Sequence, residues 1–202
     1  MIELTAYTNQ SSSQSPPLKN QFISTQTVFD PLRRLPIIHN VNVTKILLVT
    51  YFRGGSTFLG DLLQQNWNSF YHFEPLHYMT VGIRIENERT EEAFRLIKHL
   101  FKCDFINVPN YIKWVSIDVH QHLFEFNKFL QNTCYFRPAS CFDSLFIEQV
   151  CLRSPIQIMK VARLSMRHIE KLAVNDLNLK VVYLVRDPRG IYSSRKLMDC
   201  QI

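Results

Sequence analysis

The segment that most constrains the fold is residues 45–61, which read KILLVTYFRGGSTFLGD. The apolar run at residues 46–49 predicts a buried strand, a loop rich in small residues follows at 53–57, and helix-forming sequence comes next. In such a strand–loop–helix unit, the backbone N–H groups of the first helical turn face an anion. Gly54 and Gly55 allow positive φ and a close approach of the backbone, which suits phosphate oxygens.

The side chains of the same loop add charge and hydrogen-bond donors. Arg53 supplies a permanent planar positive charge, and Ser56 and Thr57 supply hydroxyl groups. The loop is not a Walker A sequence, because the pattern G-x-x-x-x-G-K-[ST] cannot be aligned with it. Taken alone, the segment is compatible with a phosphate-binding loop or with a turn that is purely structural.

A second strand-to-helix junction lies in residues 177–195, LNLKVVYLVRDPRGIYSSR. Near-continuous apolar character at residues 180–185 predicts a buried strand of a parallel sheet. Asp187 and Pro188 then have the residue types expected at the N-cap and at the first position of a helix. The chain therefore repeats the strand–loop–helix arrangement near its end.

This junction also carries an arginine and a hydroxyl group. Arg186 falls at the carboxyl end of the predicted strand, where open α/β sheets bind ligands, and Ser194 follows about two helical turns later. Together the two junctions suit one ligand with two separate phosphate groups. The alternative is a surface helix cap in which Arg186 simply pairs with Asp187.

These segments resemble the carbohydrate sulfotransferases, in the Golgi branch that 6-O-sulfates galactose, N-acetylgalactosamine or N-acetylglucosamine. RGGSTFLGDLL is similar to the family's 5′-phosphosulfate loop, and KVVYLVRDPRGIYSSR is similar to its 3′-phosphate segment. Between them, residues 73–76 (FEPL) match the FEP element of this branch, and residues 159–164 (MKVARL) resemble its K-x-x-R strand and turn. The resemblance covers about residues 45–197, with the four elements in the family's order.

The resemblance implies a P-loop-like sulfotransferase fold of the α/β class, with a central parallel sheet flanked by helices. It also implies 3′-phosphoadenosine-5′-phosphosulfate as the co-substrate and no metal ion, and the sequence contains no H-x-x-x-H or paired C-x-x-C site. The residues carried over as donor-binding are Arg53, Gly54, Gly55, Ser56, Thr57 and Phe58 at the 5′-phosphosulfate, and Arg186 and Ser194 at the 3′-phosphate.

For catalysis, the resemblance assigns a charge-stabilising role to Arg53 and the role of general base to Glu74. Sulfuryl transfer, like phosphoryl transfer, depends mainly on positioning and on stabilising charge. A carboxylate in the partly aromatic setting of Glu74 is expected to have a raised pKa, which suits a general base. Three alternatives stay open: Glu74 as a structural buttress of the loop, His72 as the base, and His77 as the base.

Composition fits one globular domain with anionic partners. The chain has 202 residues, 46% of them hydrophobic, and a formal net charge of +6. Its lysines and arginines are scattered rather than clustered with stacking aromatics, so nucleic acid is not the expected partner. The expected partners are the nucleotide donor and, from the resemblance, a glycan or proteoglycan acceptor.

The N-terminal region differs from the rest. Residues 1–40 are rich in Ser, Gln, Asn and Thr and predict a disordered or loosely packed arm, with the sulfotransferase domain at 41–202. The resemblance implies the Golgi lumen or membrane, yet the sequence has no signal peptide and no 18-residue apolar span. The family's membrane anchor is therefore expected to be absent from this chain.

The chain stops at Ile202, whereas the resembled family continues, so the C-terminal part of the domain is expected to be missing. Two other function classes therefore accompany the sulfotransferase: a truncated, non-catalytic module that binds the nucleotide or a glycan, and a phosphate-loop nucleotide kinase. The absent Walker lysine weighs against the kinase. Donor binding without turnover would distinguish the binding module from the enzyme.

Several further patterns carry predictions. Three helices are expected: an amphipathic one at residues 91–101, another containing Leu123, Phe126, Phe129 and Leu130, and a third at residues 163–172. Five cysteines fit a lumenal protein, and the odd number leaves at least one unpaired or paired outside this chain. Asn9-Gln10-Ser11 and Asn42-Val43-Thr44 are N-glycosylation sequons, which have meaning only in the secretory route.

Overall fold

The structure is a computed structural model in which residues 30–174 and 178–196 are described. Its centre is a four-stranded sheet of β1 (Thr44–Thr50), β2 (Ser69–Phe73), β3 (Ile156–Val161) and β4 (Leu179–Leu184). The strand order is β2-β3-β1-β4, and every neighbouring pair is parallel. The predicted α/β class, with a central parallel sheet flanked by helices, is confirmed.

Helices occupy most of the connections between these strands. They are α1 (Asp30–Arg33), α2 (Ser56–Leu63), α3 (Thr90–Phe101), α4 (Pro109–Val115), α5 (Asp118–Glu125), α6 (Lys128–Cys134), α7 (Ser144–Cys151), α8 (Met166–Val174) and α9 (Pro188–Lys196). The long insertion between β2 and β3 holds five of them, α3 to α7. Both predicted phosphate junctions lie outside this insertion, at the carboxyl ends of β1 and β4.

The first predicted strand, β1, lies between β3 and β4, and its consecutive side chains are apolar. Leu47 and Leu48 are fully buried, and each pairs with β3 on one side and β4 on the other. This burial on both faces explains the near-continuous hydrophobic run of the sequence. The two predicted strands at 46–50 and 181–185 are direct neighbours in one sheet, as expected.

The prediction that β4 is buried is wrong. Within the described residues β4 pairs only with β1, and Val181 and Tyr183 are 36% and 41% exposed. An apolar run at a sheet edge has the same sequence signature as a buried strand, so periodicity could not distinguish the two. No residue of the following helix α9 is buried either.

The core lies between the sheet and the helices of the insertion. Helix α3 buries the face predicted for it, including Phe94, Ile97, Leu100 and Phe101. The second predicted helix is instead two helices, α5 and α6, separated at Phe126 and Asn127. Asn127 begins α6 by accepting a hydrogen bond from the backbone N–H of Leu130, 3.1 Å away, and this cap starts a new helix inside the apolar pattern.

Four of the five cysteines form two disulfides. Cys103 is bonded to Cys151, and Cys134 is bonded to Cys141. All four are at least 96% buried. The fifth, Cys200, lies outside the described residues, as does the predicted arm up to residue 29. Of the described residues of the predicted arm, Leu32 is 2% exposed and belongs to the core, whereas none of residues 33–40 is buried.

A membrane-spanning helix needs about 20 apolar residues. Among the helices at 30–174 and 178–196, none combines the length and the hydropathy needed for a span.

Candidate active site

The carboxyl ends of the four parallel strands meet at one edge of the sheet and surround a cavity of about 310 Å³. Seven of the nine predicted site residues line it: Arg53, Gly55, Ser56, Thr57, Glu74, Arg186 and Ser194. The other lining residues are Thr50, Tyr51, Phe52, Lys160 and Ala162. The cavity thus combines the two strand-to-helix junctions with the end of β2 between them in sequence.

Two predicted residues do not line the cavity. Phe58 points into solvent from α2 and is 76% exposed. Gly54 supports the loop from behind, because a Cβ built on it would lie 2.4 Å from Thr50 Oγ1 and 3.0 Å from the Tyr51 carbonyl oxygen. Any larger residue at 54 would therefore push the loop away from β1.

The loop begins helix α2 in the way that the sequence predicts. Gly55 is the N-cap and has φ of 91°, which a glycine adopts without the steric cost of a Cβ. A Cβ on Gly55 would have nothing within 4 Å, so the requirement there is conformational rather than spatial. The first helical residues, Ser56 and Thr57, face the cavity, and their backbone N–H groups belong to the unsatisfied first turn.

Direct hydrogen bonds join the two junctions although they lie more than 130 residues apart. Arg53 Nε donates to Ser194 Oγ over 2.9 Å. Arg186 Nη1 donates to the Arg53 carbonyl oxygen over 3.1 Å. Arg186 therefore does not form the surface pair with Asp187 that was the alternative interpretation; Asp187 instead pairs with Arg189 and accepts its backbone N–H.

Glu74 stands at the end of β2, where two buried cations hold its carboxylate. Lys160 Nζ lies 2.9 Å from Glu74 Oε1, and Arg163 Nη1 lies 2.5 Å from Glu74 Oε2. The three side chains are 6%, 5% and 14% exposed for Lys160, Arg163 and Glu74 respectively. Each carboxylate oxygen therefore has its own cation in a setting with little solvent.

Aromatic rings fix the two cations in turn. Lys160 Nζ lies 4.0 Å from the centre of the Phe73 ring, and the Arg163 guanidinium lies 5.1 Å from that of Phe52. Such cation–π contacts stabilise a desolvated charge by about 2 kcal/mol. Arg163 Nε also donates to the Thr80 carbonyl oxygen over 3.1 Å. The ion-paired group is therefore anchored on β2, on β3 and on the loop that precedes α2.

The expectation of a raised pKa for Glu74 is wrong. Burial does raise the pKa of the carboxyl, but the charges and hydrogen bonds of Lys160 and Arg163 outweigh it, and the net shift is downward. The sequence shows the aromatic neighbours of Glu74, but its two cations, Lys160 and Arg163, lie 86 and 89 positions further along the chain. Glu74 is therefore held in its ionised form.

Two residues of the cavity wall have backbones in the left-handed region. Arg53 has φ of 68° and Glu74 has φ of 45°, and neither is a glycine. Such conformations cost about 1–3 kcal/mol each and persist only where the surroundings impose them. Of the three described non-glycine residues with positive φ, two are thus the predicted charge stabiliser and the predicted base.

The two alternative bases lie elsewhere. His72 is 5% exposed among aromatic rings, with its ring centre 4.9 Å from that of Phe70 and 6.2 Å from that of Phe105. Burial lowers the pKa of His72 to about 3, so its imidazole is neutral. His77 is half-buried against Trp114, and its pKa is lowered first by burial and then by the charge of Arg163. Neither histidine lines the cavity.

Lys160 is the residue that reasoning from sequence left without a role. The K-x-x-R pattern of residues 159–164 was part of the resemblance, but nothing connected it to Glu74. The sequence contained one hint of its role, a single lysine in the apolar strand IQIMKV. A lysine in a buried strand requires a partner of opposite charge. In the register of the sheet, Lys160 pairs with Phe73, the residue before Glu74.

The side chains that line the cavity carry a net positive charge. Arg53, Lys160 and Arg186 line it with positive charge, against the single lining carboxylate of Glu74. Across residues 30–174 and 178–196, no group of three or more His, Cys, Asp or Glu side chains could hold a metal ion.

Comparison with known proteins gives the family. The profile described as "Sulfotransferase domain" matches residues 43–199, from the start of β1 to beyond α9. The chain belongs to the sulfotransferase domain family. All four strands and both junctions lie within the matched range.

Curated relatives include carbohydrate sulfotransferases from several vertebrates. The chain is 31% identical to carbohydrate sulfotransferase 1 of Homo sapiens over an alignment of 183 positions, which covers 75% of this chain and 44% of the relative. It is 28% identical to carbohydrate sulfotransferase 1 of Rattus norvegicus over an alignment of 184 positions, with the same two coverages of 75% and 44%. It is 27% identical to carbohydrate sulfotransferase 3 of Homo sapiens over an alignment of 177 positions, which covers 74% of this chain and 37% of the relative.

The chain therefore spans less than half the length of the curated relatives it matches. No solved structure matches it.

Proposed function

We propose that this chain carries the catalytic centre of a carbohydrate sulfotransferase, which moves a sulfuryl group from 3′-phosphoadenosine-5′-phosphosulfate to a sugar hydroxyl. The observation that carries the proposal is the cavity at the carboxyl edge of the sheet, where Arg53 and Ser194 are hydrogen-bonded across the two junctions and Glu74 forms part of the same wall. Its family membership and its similarity to carbohydrate sulfotransferases support the reaction class.

The donor has two anionic ends, and the cavity has two sets of groups suited to them. The loop at Gly55 to Thr57 supplies backbone N–H groups and hydroxyls for the 5′-phosphosulfate. Arg186 and Ser194 would hold the 3′-phosphate, and charge-assisted bonds from a guanidinium suit phosphate oxygens. Gly55 also suits this role, because a Cβ built on it would have no atom within 4 Å, so its backbone is accessible to an anion.

Arg53 would stabilise the charge that develops on the leaving phosphate. Its Nε is used by Ser194, while its Nη atoms make no hydrogen bond within the described part of the chain. Because an arginine stays protonated, this contribution is electrostatic rather than proton transfer. The hydrogen bond to Ser194 also ties the group that stabilises the leaving phosphate to the group that binds the 3′-phosphate.

Glu74 would accept the proton of the attacking hydroxyl. Its lowered pKa keeps the carboxylate ionised and therefore able to accept a proton at neutral pH, although it weakens the base. Lys160, which also lines the cavity, lies where it could stabilise the transferred sulfuryl oxygens. The competing role is the buttress, in which Glu74 serves only to hold Lys160 and Arg163.

For the acceptor, we propose the 6-hydroxyl of N-acetylglucosamine, galactose or N-acetylgalactosamine in a glycan or proteoglycan. The support is the resemblance of the four sequence elements to the branch with that specificity. The same resemblance supports a location in the Golgi lumen or membrane, and the two buried disulfides agree with an oxidising compartment.

The test is a transfer assay on the full chain with labelled donor and a panel of 6-hydroxyl sugars and their 6-deoxy analogues, with and without EDTA. We expect label in the 6-hydroxyl acceptors alone, unaffected by EDTA. Donor binding without any transfer would instead favour the non-catalytic binding module, a possibility kept open because the chain spans less than half of its relatives. Absence of donor binding would overturn the sulfotransferase and the nucleotide-binding module, and would leave only a module that binds a glycan.

A further inference from the structure

The sequon at Asn42-Val43-Thr44 has no part in the proposed reaction. It lies at the amino-terminal edge of the sheet, opposite the edge that carries the cavity. Asn42 ends a short 3-10 turn, Asn40–Asn42, and β1 begins two residues later. Since β1 runs from Thr44 to Thr50 at about 3.3 Å per residue, the sequon lies roughly 20 Å from the phosphate-binding loop.

The folded chain leaves the Asn42 amide accessible. Its side chain is exposed and makes no hydrogen bond within the described residues, while its backbone N–H donates to the His39 carbonyl oxygen over 2.8 Å. The neighbouring residue Val43 is 5% exposed, so the turn is fixed to the core by the middle residue of the sequon. The amide therefore projects from a rigid site rather than from a loose terminus.

The surrounding backbone is also tied down without using Asn42. Asn178 Nδ2 donates to the Val41 carbonyl oxygen over 3.1 Å, and the Thr44 N–H donates to the Pro155 carbonyl oxygen over 2.9 Å. These bonds join the turn to β4 and β3 at their amino-terminal ends. A glycan on Asn42 would thus displace none of the contacts that hold the edge together.

The redox chemistry of the chain supplies a second, independent observation. Cys103–Cys151 and Cys134–Cys141 are buried disulfides in the described part of the chain. Structural disulfides form in the secretory route and are rare in reducing compartments. The secretory route is also where an Asn-x-Thr sequon becomes a substrate for N-glycosylation.

From this geometry we infer that Asn42 is an N-glycosylation site whose glycan covers the amino-terminal edge of the sheet and leaves the cavity open. The Asn42 Nδ2 atom would form a C–N bond to the anomeric carbon of a lipid-diphosphate-linked oligosaccharide. The lipid diphosphate leaves, and one amide proton passes to the transferring enzyme. The inference rests on the proposed secretory location but not on the proposed sulfuryl transfer.

The experiment translates the full chain, preceded by a cleavable signal peptide, in the presence of microsomes. Asn9→Gln is present throughout, because the other sequon at Asn9 lies outside the described residues. The variants are Asn42→Gln and Thr44→Ala, which destroy the sequon, and Thr44→Ser, which keeps it. The readouts are gel mobility before and after peptide:N-glycosidase F, and mass spectrometry of the peptide that contains residue 42.

We expect one glycosidase-sensitive step in the Asn9→Gln background, its loss in Asn42→Gln and Thr44→Ala, and its retention in Thr44→Ser. A product insensitive to the glycosidase in the Asn9→Gln background overturns the inference, and so does a step that persists in Asn42→Gln. Titration of the Asn42→Gln chain with 3′-phosphoadenosine 5′-phosphate separates the two proposals. The affinity of this variant for the nucleotide should equal that of the unsubstituted chain, whether or not Asn42 is glycosylated.

Discussion

The Lys160 Nζ atom lies 2.9 Å from Glu74 Oε1, inside a cavity wall where both side chains are more than 85% buried. This pair changes the expected behaviour of the proposed base. An isolated buried carboxylate would be protonated near neutral pH, whereas this one stays ionised because Lys160 and Arg163 lower its pKa. The pair also couples the end of β2 to the end of β3.

Glu74→Gln should lower kcat by about 10²–10⁴-fold and leave donor affinity nearly unchanged, because the amide keeps the shape but cannot accept the proton. The measurement is steady-state transfer with parallel titration of 3′-phosphoadenosine 5′-phosphate. Glu92→Gln is the matched control, since that carboxylate is also ion-paired, with Arg89, but lies outside the cavity.

Near-normal turnover of Glu74→Gln would instead assign it the structural role. If His72→Ala or His77→Ala abolished turnover under those conditions, the base would be a histidine. The donor site would survive either result.

Lys160→Gln tests the electrostatic coupling through pH. Removing the first of the two cations raises the pKa of Glu74, so a higher pH is needed to ionise the base. The acidic limb of the kcat–pH profile should therefore move to higher pH. Lys160→Arg keeps the charge and should leave the limb near its original position. A uniform fall in kcat with an unmoved limb would show that Lys160 acts only by packing or by contacting the substrate.

Arg186→Ala should weaken binding of 3′-phosphoadenosine 5′-phosphate by about 10- to 150-fold, which corresponds to a charge-assisted contact of about 1.5–3 kcal/mol. Calorimetric titration measures it. Arg189→Ala is the matched control: it removes the same charge three residues away, from a side chain that is 91% exposed and paired with Asp187. Equal losses in the two variants, or no loss in Arg186→Ala, would remove Arg186 from the donor site.

The two junctions could be predicted from sequence because each is a local signal. An apolar strand, a glycine or Asp-Pro start and a helix lie within about twenty residues, and parallel strands bring their carboxyl ends to one edge. That reasoning places Arg53 and Arg186 correctly beside one cavity. It cannot give the hydrogen bond between Arg53 and Ser194, which depends on the two strands being immediate neighbours.

The pKa of Glu74 could not be predicted for the same physical reason. Its aromatic neighbour Phe73 is adjacent in sequence and suggested desolvation alone. Its cations Lys160 and Arg163 lie on another strand and the turn after it, and they become partners only through the β2–β3 register. Long-range charge decides the direction of the shift, and local sequence contains only the weaker of the opposing effects.

The two disulfides should contribute unequally to stability. In the chain-entropy description, cross-linking removes more freedom from the unfolded state when the closed loop is longer. The sequence separations of 48 for Cys103–Cys151 and 7 for Cys134–Cys141 then correspond to about 4 and about 2 kcal/mol. Chemical unfolding of the paired alanine variants measures the difference. Equal losses would indicate that packing of these buried cysteines, rather than loop closure, sets their contribution.

The buried imidazole of His72 should make the folded state less stable in acid. Its pKa is lowered to about 3 by burial, against about 6.5 in the unfolded chain. Between those values the unfolded state binds a proton that the folded state does not. The free energy of unfolding therefore falls as pH decreases from about 6.5 towards 3, by up to about 1.4 kcal/mol per pH unit from this residue.

His72→Phe keeps an aromatic ring beside Phe70 and Phe105 and removes the titration. Urea unfolding at several pH values between 4 and 7 should show the variant gaining stability relative to the unsubstituted chain as pH decreases. Parallel curves for the two proteins would mean that the pKa of His72 is the same in the folded and the unfolded chain.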